Sequence, residues 1–169
     1  MDTPDELLEP FIAAAATTLR EMAGAEVIVR DTFRANGDVS LVDVSVALRL
    51  EAETEGWLIL SFPRGTAAAL ARRVLVEVGG EPGEDMIRDC AAELLNVIAG
   101  QAKALLFGTS RHFTFSTPTA LTAWPAGAVA GRYVVRFDSD AGEFTLHLCP
   151  PPAAAGAGGG EQSFTGPGG

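Results

Sequence analysis

Metal-ligating residue types are scarce in this chain. It has two cysteines, Cys90 and Cys149, and two histidines, His112 and His147. No CxxC and no Cys/His cluster occurs, so no metal site is expected. Two thiols so far apart read as reduced cytosolic cysteines, not as a disulfide framework. Positive charge is also short, with 12 Lys and Arg against 22 Asp and Glu and a formal net charge of −10. That balance repels nucleic-acid phosphates and anionic membrane surfaces, so neither is an expected partner. Aromatics make up only 7% of the residues, which leaves most of the core to Val, Leu, Ile and Ala. No apolar run approaches the roughly 20 residues that span a bilayer. Met1–Glu6 holds no basic stretch leading into an apolar run, so no signal peptide is expected and a cytoplasmic location is. Neither GxxxxGK[ST] nor a GxGxxG after a strand is present, so no nucleotide site is read.

What is present suits one domain: 169 residues, 47% of them apolar, enough to bury a core. Phe11, Ile12, Ala15, Leu19 and Met22 recur at helical spacing, which predicts a helix over about 9–22 with Pro10 in its first turn and an extra turn at Leu7-Leu8. Val27, Val29 and Phe33 open a strand, and Ala35-Asn36-Gly37-Asp38 reads as a hairpin turn. Val42, Val44, Val46, Leu48 and Leu50 alternate with Asp43, Ser45, Ala47 and Arg49, the pattern of a half-buried antiparallel strand. Glu53-Thr54-Glu55-Gly56 turns the chain into Trp57–Phe62, apolar enough for a central strand. A second helix is expected over about 66–78 and a long one over about 85–107, on the order of 35 Å, stopped by Gly108. Phe113 and Phe115, then Thr119–Trp124 after Pro118, Tyr133–Phe137, a turn at 138–142, and Phe144–Leu148 complete the strands. His147 reads as an outward surface residue. Turns, not helices, join consecutive strands, which predicts an α+β domain over 1–149: a mostly antiparallel sheet with helices packed on one face. Residues 150–169 are Pro, Ala and Gly with little else, and read as a disordered tail.

The long helix carries an unusual polar stripe. At 100° per residue Asp89, Glu93, Asn96, Gly100 and Lys103 fall on one narrow face, while Ile87, Cys90, Leu94, Val97, Ile98 and Leu105 fall mostly opposite. A wet helix face accounts for Asp89, Glu93 and Lys103. It accounts poorly for Asn96 and Gly100, both weak helix formers, glycine by about 1 kcal/mol relative to alanine. An amide holds water by donating and accepting at once, and a glycine lets another surface come close. On the residues alone, a solvated face and a working surface both stand.

Asp89-x3-Glu93-x2-Asn96 with Pro118 downstream resembles the signature of the CheC/CheX/FliY chemotaxis phosphatases. Glu93-Leu-Leu-Asn-Val-Ile-Ala-Gly-Gln-Ala102 is similar to that family's E-x-x-N-x-I-x-G-N-A run, with Gln101 in place of Asn, and Glu9-Pro10-Phe11-Ile12 is similar to its opening N-P-F-I. The likeness spans about residues 5–149. CheC-type members have two E-x-x-N sites; here Ile12 follows Glu9 at the third position, so the first helix holds no second site, and the CheX type is the nearer. The resemblance implies a CheC/CheX-like fold and a homodimer formed through the sheets. It also implies a phosphatase acting on the aspartyl phosphate of a CheY-type response regulator. Glu93 would pair with the regulator's lysine, and Asn96 would orient the attacking water. Asp89, Gly100 and Pro118 would shape the docking site. No cofactor is expected on this chain; Mg²⁺ would belong to the regulator. The competing expectation is a non-catalytic CheX-like adaptor in a chemotaxis or flagellar switch complex. A CheC-like chain controlled by a separate deamidase fits the single site less well.

Overall fold

A strand whose apolar residues alternate with others has one face ready to be buried, and in this chain four strands present such a face to the same side. The computed structural model describes residues 4–36, 41–52, 55–76, 80–125 and 131–149. It opens with α1 (Pro4–Ala23), followed by β1 (Val27–Ala35), β2 (Val44–Glu51) and β3 (Glu55–Phe62). Helices α2 (Arg64–Val74) and α3 (Glu84–Leu105) come next, then β4 (Thr114–Phe115), β5 (Thr119–Ala120), β6 (Arg132–Ser139) and β7 (Phe144–Cys149). The strands form one seven-stranded sheet in the order β1-β6-β7-β3-β2-β4, with β5 also on β2. Every pairing is antiparallel.

Register lines the apolar residues up in rows. Val46 lies opposite Leu60, Leu60 opposite Leu146 and Leu146 opposite Val135. These residues join Leu8, Phe11 and Leu19 of α1, Leu70 of α2, and Leu94, Leu95 and Ile98 of α3 in one buried cluster. Each such Leu or Phe contributes about 1.5–3 kcal/mol by leaving water. The helices therefore cover one face of the sheet, the α+β arrangement that the strand and helix order predicts.

Several local readings need correction. No hairpin joins β1 to β2: β1 pairs with β6 and β2 with β3, which sets the two at opposite parts of the sheet. Asn-Gly shows only that a chain can turn there; burial decides which strands meet. Residues 37–40 lie outside the described residues, but Asn36 is seen to accept a hydrogen bond from the Gly131 N–H at 2.9 Å. Strand β2 is not half-buried either. Ser45 and Ala47 on its outer face are buried as well, and the Ser45 and Ser61 hydroxyls share a hydrogen bond of 2.8 Å across β2 and β3. Val42, outside the strand, is exposed.

Helix α1 begins a turn and more before Glu9, so Pro10 lies inside it, not in its first turn. A proline there leaves the carbonyl four residues earlier without its N–H donor. That carbonyl is Glu6 O, and the Arg111 guanidinium donates to it at 3.3 Å. Helix α2 stops at Val74, short of the expected end, and residues 77–79 are outside the described set. The turn from β6 to β7 matches expectation. Ser139 and Gly142 exchange backbone hydrogen bonds of 3.1 and 3.0 Å, and Gly142 sits at φ 131°, where a Cβ would collide with Thr66 of α2. The hairpin thus packs tightly on that helix. The tail read over 150–169 lies outside the described residues.

The outer face of the sheet departs most from the sequence reading. Trp124 is not in a strand, since β5 ends at Ala120. Its ring stands edge-on to His147, with centroids 5.1 Å apart, and lies 4.6 Å below the Arg132 guanidinium carbon. Arg132 is fully buried and His147 is 6% exposed, so His147 is no surface residue.

Candidate functional site

Helix α3 takes Gly83 as its N-cap and carries Glu84 and Asp85 in the first turn and Lys103 in the last, the charge order that suits the helix dipole. Ile87, Cys90, Ala91, Leu94, Leu95, Ile98, Ala99 and Ala102 form its buried stripe. The wheel places Val97 and Leu105 on this side too. Val97 is only half-buried, and Leu105 is exposed because Leu106 takes the buried position at the helix end.

The opposite stripe brings the sequence candidates together. Asp89 and Glu93 are exposed; Asn96, Gly100 and Lys103 are half-buried. Spacings of three and four make each the neighbour of the next on one helix face. Among the described residues, no hydrogen bond or ion pair holds the side chains of Asp89, Glu93 or Asn96. The carboxylate and the amide are therefore free to engage another molecule. The Glu93 charge is felt by Cys90, whose thiol is pushed up to about 11, first by burial and second by Glu93. Burial likewise pushes Cys149 up to about 11. Both cysteines are protonated near neutrality and are poor nucleophiles. Among the described residues no group of three or more His, Cys, Asp or Glu is placed to hold a metal ion.

Gly100 does not serve a special backbone conformation. A Cβ built on it meets nothing within 4 Å, so the space above the helix is open. Gly100→Ala is expected to stabilise the fold by about 1 kcal/mol, read as a higher Tm. A lower Tm would show that the open space is not as described.

Pro118 lies between β4 and β5, apart from the helix in sequence but in a segment that borders it. β5 touches α3, and the Lys103 ammonium sits 5.8 Å from the centroid of Phe115 in β4. Phe115 and Lys103 thus close the C-terminal end of the stripe. Wheel position alone puts Lys103 with ordinary solvated residues, and the alternation at 113–115 says nothing of the helix that Phe115 meets.

This arrangement, three helices on one face of an antiparallel sheet with the polar stripe of the longest turned outward, is the fold of the CheC/CheX-like chemotaxis proteins. The structure is similar to a chemotaxis protein CheX from Desulfovibrio desulfuricans, with TM-score 0.75 and 24% identity over 86% of this chain and 99% of that one. A chemotaxis protein from Desulfovibrio vulgaris Hildenborough matches at TM-score 0.74 and 26% identity, over 85% and 96%. The CheX of Borrelia burgdorferi, solved in complex with CheY, BeF3 and Mg²⁺, matches at TM-score 0.60 and 22% identity, over 85% and 96%. No curated protein sequence matches the chain. The family model for the chemotaxis phosphatase CheX matches residues 44–148, which include α3 and Pro118, and the chain belongs to that family. No helix among the described residues is long and apolar enough to cross a membrane.

Proposed function

We propose that this chain is a phosphatase for the aspartyl phosphate of a CheY-type response regulator, and that α3 is its docking helix. The observation that carries the reading is the pair Glu93 and Asn96, one turn apart on an exposed stripe, with unengaged side chains and open space at Gly100. Membership of the CheX family supports it, as does the likeness to a CheX that was solved bound to CheY.

In the proposed reaction Glu93 pairs with the regulator's lysine and fixes how the partner sits. Asn96 accepts from and donates to one water, aligned with the phosphorus. The water oxygen bonds to phosphorus as the bond from phosphorus to the aspartyl oxygen breaks. The products are a free aspartate carboxylate on the regulator and inorganic phosphate, which leaves with both of the water's protons and gives one up to solvent. An amide removes no proton, so this chain supplies positioning, the main protein contribution in phosphoryl transfer. The regulator's own Mg²⁺ screens the charge. Asp89, Gly100 and Pro118 shape the surface, and no covalent intermediate forms here.

Mixing the chain with a phosphorylated CheY-type regulator should speed the loss of its phosphate. Binding with no change in that rate would leave a docking adaptor instead. The same proposal includes a homodimer joined through the sheets. It is supported by the position of β1 at one end of the sheet, with Ile28, Val29 and Phe33 exposed on it. Light scattering should give twice the chain mass; a monomer at micromolar concentration would reject the dimer.

A further inference from the structure

We propose that Lys103 is a specificity residue of the docking stripe, pairing with a carboxylate on the regulator's surface about two helical turns from the phosphoryl group. The inference rests on the phosphatase reading and adds to it a second charged contact, opposite in sign to Glu93.

Lys103 is the only lysine in a chain whose other eleven basic residues, out of 12, are arginines. Most of those arginines are engaged in ion pairs, among them Arg30 with Asp138, Arg64 with Glu84 and Arg136 with Asp31. Lys103 has no acidic partner among the described residues. The residue is half-buried, and its ammonium lies over the Phe115 ring, 5.8 Å from the centroid. A ring face attracts a cation but does not cancel its charge. The chain carries a net charge of −10, so an uncancelled cation beside Gly100 is a local exception.

Distance decides what it meets. Lys103 follows Asn96 by two turns, about 10 Å along the axis. That is too far for Lys103 to touch a phosphoryl group whose attacking water Asn96 holds. It is a suitable distance for an acidic side chain on the surrounding partner surface. The stripe therefore has a negative end at Asp89 and Glu93 and a positive end at Lys103. Opposite signs at the two ends define the direction in which a partner lies along α3, and charge complementarity of this kind sets register and encounter rate. An ammonium is a compact point charge with three donors and suits one carboxylate.

A last-turn lysine also interacts favourably with the helix dipole. That purely structural role would show in Tm and leave KM unchanged, which separates it from docking. The experiment compares wild type, Lys103→Met and Lys103→Arg in two assays: dephosphorylation of a phosphorylated CheY-type regulator, and binding to the same regulator loaded with beryllium fluoride and Mg²⁺. Lys103→Met keeps a stem over Phe115 and removes the charge. It should raise KM and Kd by about fivefold, leave kcat within about twofold, and flatten the salt dependence of binding. Lys103→Arg should restore most of the affinity and the salt dependence. Unchanged Kd and salt dependence in Lys103→Met overturn the inference while leaving the phosphatase reading intact. If the wild type binds without hydrolysis, the catalytic reading falls and the Lys103 comparison still decides by Kd. If the wild type neither binds nor hydrolyses, both fall.

Discussion

Asn96→Ala is expected to lower the acceleration of regulator dephosphorylation by about a hundredfold while leaving the regulator's affinity nearly unchanged. The magnitude follows from the role. A residue that aligns one water contributes orientation, and losing alignment at a reacting centre costs about that factor. Affinity is spared because Glu93 and the open surface at Gly100 remain. Stability is expected to rise slightly. The Asn96 side chain bonds to no described residue, and alanine is the better helix former by about half a kcal/mol. The combination is diagnostic, since a variant that is more stable yet inactive has lost a group kept for function. Single-turnover measurement at saturating chain concentration isolates the step from binding. Retention of the wild-type rate by Asn96→Ala would sink the proposed mechanism, and a loss accompanied by a lower Tm would point to the fold instead. Glu93→Ala should behave differently, raising KM more than it lowers kcat, because its proposed work is docking.

Much of this geometry is legible in the sequence because its cause is local. Alternation at Val44–Leu50 and at Phe144–Leu148 reports strands whose inner face must be buried, and the structure buries those residues against the helices. The stripe of α3 is legible for the same reason: helical spacing alone puts Asp89, Glu93, Asn96 and Gly100 on one side. What sequence reading misses is set by distant partners. The partner of β1 is β6, far along the chain, and an Asn-Gly pair beside β1 carries no information about it. Pro10 reads as a helix start because proline is tolerated there; it is accommodated in the interior because Arg111 bonds the carbonyl it leaves bare. Lys103 looks like any wet-face lysine until Phe115 is seen beneath it. His147 is read as outward, correctly as to side, but an outward position on a sheet is wet only if nothing lies over it. Trp124, from a segment with no regular structure, lies against it.

The same burial makes His147 the source of a pH-dependent loss of stability. Its imidazole sits in β7 between Val134 of β6 and Ile59 of β3 in the register, with Trp124 and the buried Arg132 beside it. Its Nδ1 is buried without a hydrogen-bond partner. Burial first, and the charge of Arg132 second, lower its pKa from 6.5 to about 4. The folded protein thus keeps a neutral imidazole through a range in which the unfolded chain binds a proton. Where the unfolded state holds more protons, stability rises with pH. The contribution of His147 is therefore fully present above about pH 6.5 and is lost progressively as pH falls toward 4, a total of about 3 kcal/mol at 1.36 kcal/mol per unit. Asp31 and Glu84, held below their ordinary range by hydrogen bonds from Arg136 and Arg64, lose their pairing mainly below this range, as pH falls past their ordinary values. The slope between pH 6.5 and 5 is thus chiefly that of His147. Urea denaturation at a series of pH values should show it, and His147→Phe, similar in size and without a titrating group, should flatten it whatever its absolute stability. A direct reading comes from the His147 ring resonances, which should titrate near pH 4. A midpoint near 6.5, or an undiminished slope in His147→Phe, would show that the outer face of the sheet is open to water and that Trp124 does not cover it.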